Sequence, residues 1–182
     1  RNNEILDTLA EGIGCAVQAY GGGEFANNII HPIAGYHTGI ANLLGHAMGI
    51  RHSHLDNAGY SIDQKHLGKK FSMEDVVNKL LSEEYFRSVY TSLHACLFAR
   101  KVYTPDKITR CLNVMGREME EAEIPEYGKR IFKLKHEYRK ACGFSFDKIQ
   151  PPERFFETPT PHGVLTREMF EEGLGYIEKK IR

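Results

Sequence analysis

A mainly α fold follows from three observations. Beyond Lys70, apolar residues recur at three- and four-residue steps, helix-start signals stand directly before those runs, and no alternation of apolar and polar residues is long enough to mark a strand. The 182 residues, 41% of them hydrophobic, are enough for a single helical domain over 1–182 with a real core. Within it, 1–70 is a Gly- and His-rich, site-forming part, and 71–182 is a helical part that includes a Pro-rich connector at 150–163.

Ile5, Leu6, Leu9 and Ile13 predict a first helix from about Asn3 to Tyr20, ending at Gly21-Gly22-Gly23. Gly12 and Gly14 weaken it by roughly 1 kcal/mol each relative to Ala. That points either to close backbone approach or to a small-residue helix crossing. From Asn27 to Leu67 the chain reads as irregular, with one short helix around Thr38 to Met48. Ser72 followed by Asp75 opens the next element in the manner of a capping box. Val76, Val77, Leu80 and Leu81 then begin a long helical hairpin, whose second segment carries Phe86, Val89, Tyr90, Leu93, Leu97 and Phe98, with Cys96 beside that face.

Thr104-Pro105 is an N-cap with a first-turn proline, and it starts a short helix through Ile108, Leu112 and Met115 that Gly116 closes. A further helix runs from near Ile124-Pro125 to Gly143, with Tyr127, Ile131, Leu134 and Tyr138 as its core stripe. On that reading Leu134→Ala costs about 2–5 kcal/mol. Prolines in QPPERFFETPTPHG favour an extended connector over the surface. Thr166 caps the last helix, which buries Phe170, Leu174, Ile177 and Ile181.

Twenty-four Lys and Arg balance twenty-four Asp and Glu, so no electrostatic footprint for nucleic acid or an anionic membrane exists. With no membrane-length apolar run and no signal-peptide-like opening, a cytoplasmic location is expected. Because the chain begins inside a helical pattern, it reads as a piece of something longer.

Cys15, Cys96, Cys111 and Cys142 lack CxxC pairing and read as buried reduced thiols. Arg51-His52-Ser53-His54-Leu55-Asp56 contains HxHxD, the pattern by which some zinc hydrolases present imidazoles and a carboxylate to metal. Here it follows a Gly-punctuated helical stretch rather than a buried strand. Of the neighbouring His31, His37, His46 and His66, most are expected to satisfy backbone groups. His54, with Arg51 and Asp56 beside it, is the candidate acid–base residue. Glu153-Arg154 reads as a clamp, in which an arginine fork ties down the connector while Phe155 and Phe156 enter a groove.

Taken in order, these blocks resemble the C-terminal third of the tungsten- and molybdenum-dependent aldehyde:ferredoxin oxidoreductase family. DTLAEGIGCAVQAYG is similar to that family's LAEG helix, and HPIAGYHTGIANLLGHAMGIRHSHLD to its passage through a small-residue helix into an Arg-Gly-x-x-His loop, where His54 falls on the histidine. Ser92-Leu93-His94-Ala95-Cys96 resembles its Asp-Ser-Leu-Gly-x-Cys motif, with Thr91 in place of the aspartate and His94 in place of the glycine. EYGKRIFKLKHEYRKACG followed by PPERFFETP is similar to its GxRxxxLxxxFNxxxG and LPxRxxxxP blocks.

The resemblance implies an irregular helical domain like that family's C-terminal domain. It implies Cys96 as the last ligand of a 4Fe-4S cluster, and Ser92, Leu93 and His94 at a tungsten or molybdenum bis-pterin cofactor. It also implies His54 as catalytic, aldehyde oxidation to an acid, and ferredoxin as electron acceptor. Both cofactors belong to the full-length protein, with the remainder of the polypeptide or a companion subunit as partner, and none is expected in this segment alone. Two other readings stand beside this one: a stand-alone helical binding module without catalysis, and a zinc hydrolase using His52, His54 and Asp56.

Overall fold

The computed structural model describes residues 3–20, 37–49, 58–69 and 71–182. Among them no strand occurs, and the only pairing of strand type is an isolated bridge between Thr160 and Gly163. The predicted first helix is two helices, α1 (Glu4–Ala10) and α2 (Ile13–Tyr20). Gly12 breaks it at φ +102, and a Cβ there would meet nothing within 4 Å. Its glycine therefore serves the backbone turn and not a close approach. Ile5, Leu6 and Leu9 are exposed, so α1 buries no side chain against the described chain.

The short helix predicted around Thr38 to Met48 is α3 (Ile40–Met48), in which every residue from Ala41 to Met48 is buried. Gly39 has no side chain to cap it. Asp63, on α4 (Gly59–Lys65), supplies the cap from outside, accepting from the Ala41 amide at 3.2 Å, the Asn42 amide at 2.9 Å and the Thr38 hydroxyl at 2.9 Å. The two helices touch at Gly59, where a Cβ would lie 2.0 Å from the Ala41 carbonyl oxygen.

Ser72 caps α5 (Met73–Ser92) through the Asp75 amide, as predicted. The expected hairpin is instead this one continuous helix, because nothing near Ser82-Glu83-Glu84 breaks a helical pattern. It ends at Ser92, so Leu97 and Phe98 fall in a short 3-10 turn, Leu97–Ala99, and Phe98 is 73% exposed.

α5 is the central element and packs on α3, α4, α7 (Ile124–Ala141) and α9 (Arg167–Ile181). Its closest crossing is with α7 at Gly128, where a Cβ would lie 2.2 Å from the Tyr85 carbonyl oxygen. That approach decides which face of α7 is buried. Ile124, Gly128, Phe132 and His136 point inward at four-residue steps. The predicted stripe is overturned, since Leu134 and Tyr138 are 67% and 71% exposed and Tyr127 is also exposed. Only Ile131 of that stripe is partly buried. The apolar residues of α7 lie on two faces, and the glycine rather than the aromatic stripe marks the contact.

α6 (Pro105–Val114) starts after Thr104 and buries Ile108 and Thr109, while Met115 stays exposed. Thr104 directs its hydroxyl to the Asp106 carboxylate instead of a helix amide. In the connector, the chain makes one helical turn, α8 (Arg154–Glu157), directly after Pro151-Pro152. Prolines are compatible with the entry to such a turn, and the expected extended path holds only outside it. Phe155 is buried, as the clamp reading required, but the arginine is a different one. Arg167 of α9 pairs with Glu153 and lies 4.8 Å over the Phe156 ring. Thr166 caps α9 through the Met169 amide, and Phe170, Ile177 and Ile181 are buried as predicted.

The cysteines depart from expectation. All four are free thiols, and Cys96, Cys111 and Cys142 are exposed while Cys15 is half-buried. α6 buries Ile108 and Thr109 and leaves Cys111 exposed, and Cys142 follows the end of α7.

Candidate functional site

The last turns of α5 carry the predicted cofactor-contacting segment. Along this part of the helix Ser88, Thr91 and Ser92 each return their hydroxyl to the carbonyl four residues earlier, at 2.9, 2.8 and 2.9 Å. Ser92 and Thr91 are therefore already engaged within the helix. Beyond them the His94 amide bonds to the Thr91 carbonyl, and the Ala95 amide to the Tyr90 carbonyl, each at 3.1 Å. This is a Schellman turn with His94 in the left-handed position, at φ 54. Glycine would meet that backbone demand freely, and His94 meets it at a cost.

The turn redirects the chain so that Leu93, His94 and Cys96 are all exposed. Cys96 begins the 3-10 turn, its carbonyl accepting from the Ala99 amide at 2.9 Å. Beneath it Tyr90 is buried, and its hydroxyl has no hydrogen-bond partner among the described residues.

His54, together with Arg51, His52 and Asp56, lies outside the described residues, as does His31. The two ends of that segment are nevertheless anchored by groups the sequence reading did not single out. Arg139 of α7 donates to the carbonyls of Met48 and Gly49, both at 3.0 Å, where the negative end of the α3 dipole favours a cation. Its guanidinium lies 3.6 Å over the Phe144 ring, and burial pulls its pKa down to about 10. Glu84 of α5 is buried and accepts from the Ala58 amide at 3.4 Å. Eight residues of helix separate Glu84 from Ser92, about 12 Å of rise. The chain on either side of 50–57 is thus tied to α5 and α7. A signal for Glu84 and Arg87 was available, since charged residues stand in step with Val77, Leu80 and Leu81 on the buried face.

Histidines act as struts, as expected of most of them. His37 donates to the Thr158 carbonyl at 2.6 Å, His66 to the Ile62 carbonyl at 2.6 Å and His162 to the Asp63 carbonyl at 2.9 Å. His136 is different. It is 1% exposed among Phe132, Phe144 and Phe146, and burial, with Arg139 and Lys140 nearby, lowers its pKa from 6.5 to about 4. It is neutral at working pH. Asp63 is shifted the other way, upward, because burial outweighs the bonds it accepts from Asn42, Thr38 and Ala41 and the nearby His162.

No cluster of three or more His, Cys, Asp or Glu suited to a metal exists among the described residues. Nor is any described helix long and apolar enough to cross a membrane. Comparison with known proteins adds one positive finding: residues 1–178 match the family described as aldehyde ferredoxin oxidoreductase, domains 2 & 3. Searches of curated proteins and of solved structures each return no match. A match over nearly the whole chain, on a helical body of the expected class, establishes that the chain belongs to the aldehyde ferredoxin oxidoreductase family.

Proposed function

We propose that this chain is the C-terminal part of an enzyme that oxidises aldehydes to carboxylic acids and passes the electrons through an iron–sulfur cluster to ferredoxin. The observation that carries the reading is the exposed, free Cys96 thiol on the turn after α5. A four-iron cluster takes four thiolates from separate segments, and an accessible thiol on a rigid turn fits one of those places. The other three cysteines form no group with it, so the remaining ligands come from elsewhere in the polypeptide or from a companion subunit. The tungsten or molybdenum bis-pterin cofactor, held mainly by that remainder, supplies the two-electron oxidation when bound.

This chain's own residues then have three tasks. Cys96 holds the cluster as a thiolate. Leu93 and His94, exposed at the turn, face the cofactor side, while Ser92 stiffens the helix end through the Ser88 carbonyl. His54 takes and returns a proton at its imidazole, from a segment whose ends Arg139 and Glu84 hold. Exposed Phe98, Val102, Val114 and Met115 beyond the same turn are consistent with a surface that further protein covers.

The test is Cys96→Ser in the full-length protein. Iron content and aldehyde-dependent reduction of ferredoxin should both fall to background while the far-ultraviolet spectrum is kept. Normal iron and normal turnover would assign Cys96 no cluster role. A second reading, a helical binding module without catalysis, is favoured by Thr91, whose hydroxyl is taken by the Arg87 carbonyl where the family carries a carboxylate. Full-length protein that is pure, folded and free of iron, tungsten and molybdenum after expression with those metals supplied would favour that module.

A further inference from the structure

Away from the Cys96 turn, a cavity of about 250 Å³ opens between α4, the first turns of α5 and the chain entering α9. It is smaller than the roughly 300–1,000 Å³ of sites for drug-sized ligands. Its walls include buried Ile62, Val76 and Leu165, with half-buried Ile40 and Met169. Its polar groups are Lys69, Lys79, His66, His162 and one carboxylate, Asp63.

The charge of this lining is decided by what is already used. Asp63 accepts from Thr38, Ala41 and Asn42 and has little left to offer a cation. Lys79 is held at the mouth without being neutralised. Its ammonium donates to Nε2 of His66 at 3.0 Å and lies 4.6 Å over the Phe71 ring. The donation of His66 Nδ1 to the Ile62 carbonyl fixes the tautomer in which Nε2 accepts. An ammonium has three donors, so Lys79 keeps hydrogen-bonding capacity for an anion. Lys69 adds a second exposed cation at the same cavity.

We propose that this cavity binds a small monocarboxylate with an apolar tail of about five carbons, a size below that of drug-like ligands. The carboxylate sits on Lys79 and Lys69, and the tail lies against Ile62, Val76 and Leu165. Inorganic phosphate lacks the tail, an alkylammonium has the wrong charge, and an alcohol has no charge to match the lysines. The site depends on the described chain alone and stands whether or not the catalytic reading does.

The experiment titrates the full-length protein with hexanoate by calorimetry, using hexan-1-ol, hexylammonium and inorganic phosphate as controls. Hexanoate should bind in about the millimolar range or tighter, with each control at least about tenfold weaker. Lys79→Met keeps the side-chain stem at an exposed position and should weaken hexanoate about tenfold. Lys69→Met removes the second cation, and Val164→Asp places a carboxylate on the exposed rim. Both should weaken it too, and both stay informative if Lys79→Met melts early. Equal binding of hexan-1-ol or phosphate, no hexanoate binding at about 10 mM, or unchanged affinity in all three variants would overturn the assignment. The last result would locate the acid elsewhere in the protein.

Discussion

The two ends of α5 are built from similar residues and are finished differently. Its first half sits in a cluster that runs from Leu43 and Leu44 through Val77 and Leu80 to Phe132, Phe155, Phe170 and Ile177, drawing on α3, α4, α7, α9 and the connector. Its second half meets a smaller cluster that, among the described residues, comprises buried Val89, Tyr90, Ile108 and Ile124 with partly buried neighbours. Beyond that small cluster Phe98, Val102, Val114 and Met115 remain exposed, Val114 at 90%. The body therefore carries the larger core, and the Cys96 end presents apolar surface left exposed among the described residues.

The sharpest way to break this contrast is to remove a large side chain from each end. Phe132, fully buried against Tyr85 and His136, should cost about 3–5 kcal/mol as Phe132→Ala in urea denaturation, whereas Val114→Ala should change stability by less than about 0.5 kcal/mol. Comparable losses at both positions would mean that the Cys96 end is covered by something that stabilises it.

Acid should attack the body first, through His136. Its folded pKa of about 4 lies below the ordinary 6.5, so between those values the unfolded chain binds a proton that the folded chain refuses. The contribution is complete above about pH 6.5 and is lost as pH falls toward 4, on the order of 3 kcal/mol in all. His136→Leu, similar in bulk among the same rings, should flatten the decline in melting temperature over that range. An unchanged slope would return the acid sensitivity to other groups.

What could be read directly from the residues was whatever local chemistry decides. The Ser72 and Thr166 caps, the helix over Thr38 to Met48, and the ends of α6 and α7 before Gly116 and Gly143 each depend on a few neighbouring residues. Tertiary contacts decided the rest. α7 has two apolar faces, and only the approach of Gly128 to Tyr85 selects the buried one. Asp63 caps a helix that begins more than twenty residues before it, and Arg139 reaches carbonyls about ninety residues away, distances that no local pattern encodes. Block order singled out the segment around Cys96, but its left-handed turn at His94 emerges only from the backbone.

That observation carries the next test. A Schellman turn asks its C′ residue for a positive φ, which costs a non-glycine residue roughly 1 kcal/mol or more. His94→Gly should therefore stabilise the chain by about 0.5–1 kcal/mol, after allowing for glycine's greater freedom when unfolded. His94 is exposed, so no packing is lost in exchange. Destabilisation instead would show that the imidazole has a partner that matters more than the strain.

The smallest effect is the most exacting for the two-ended picture. Leu134 is on the outer face of α7, one helical turn from Tyr138 and opposite the Phe132 side, and its exposure leaves little apolar surface to forfeit. Leu134→Ala should shift stability by no more than about 0.5 kcal/mol, and the better helix propensity of alanine works against even that loss. In the full-length protein the same substitution reads whether α7 is roofed: a loss of about 2 kcal/mol or more there would mean that the outer stripe of Tyr127, Leu134 and Tyr138 is buried by the remainder of the protein. The contrast between covered body and uncovered Cys96 end would then give way to one between an inner contact made at Gly128 and an outer one made on assembly.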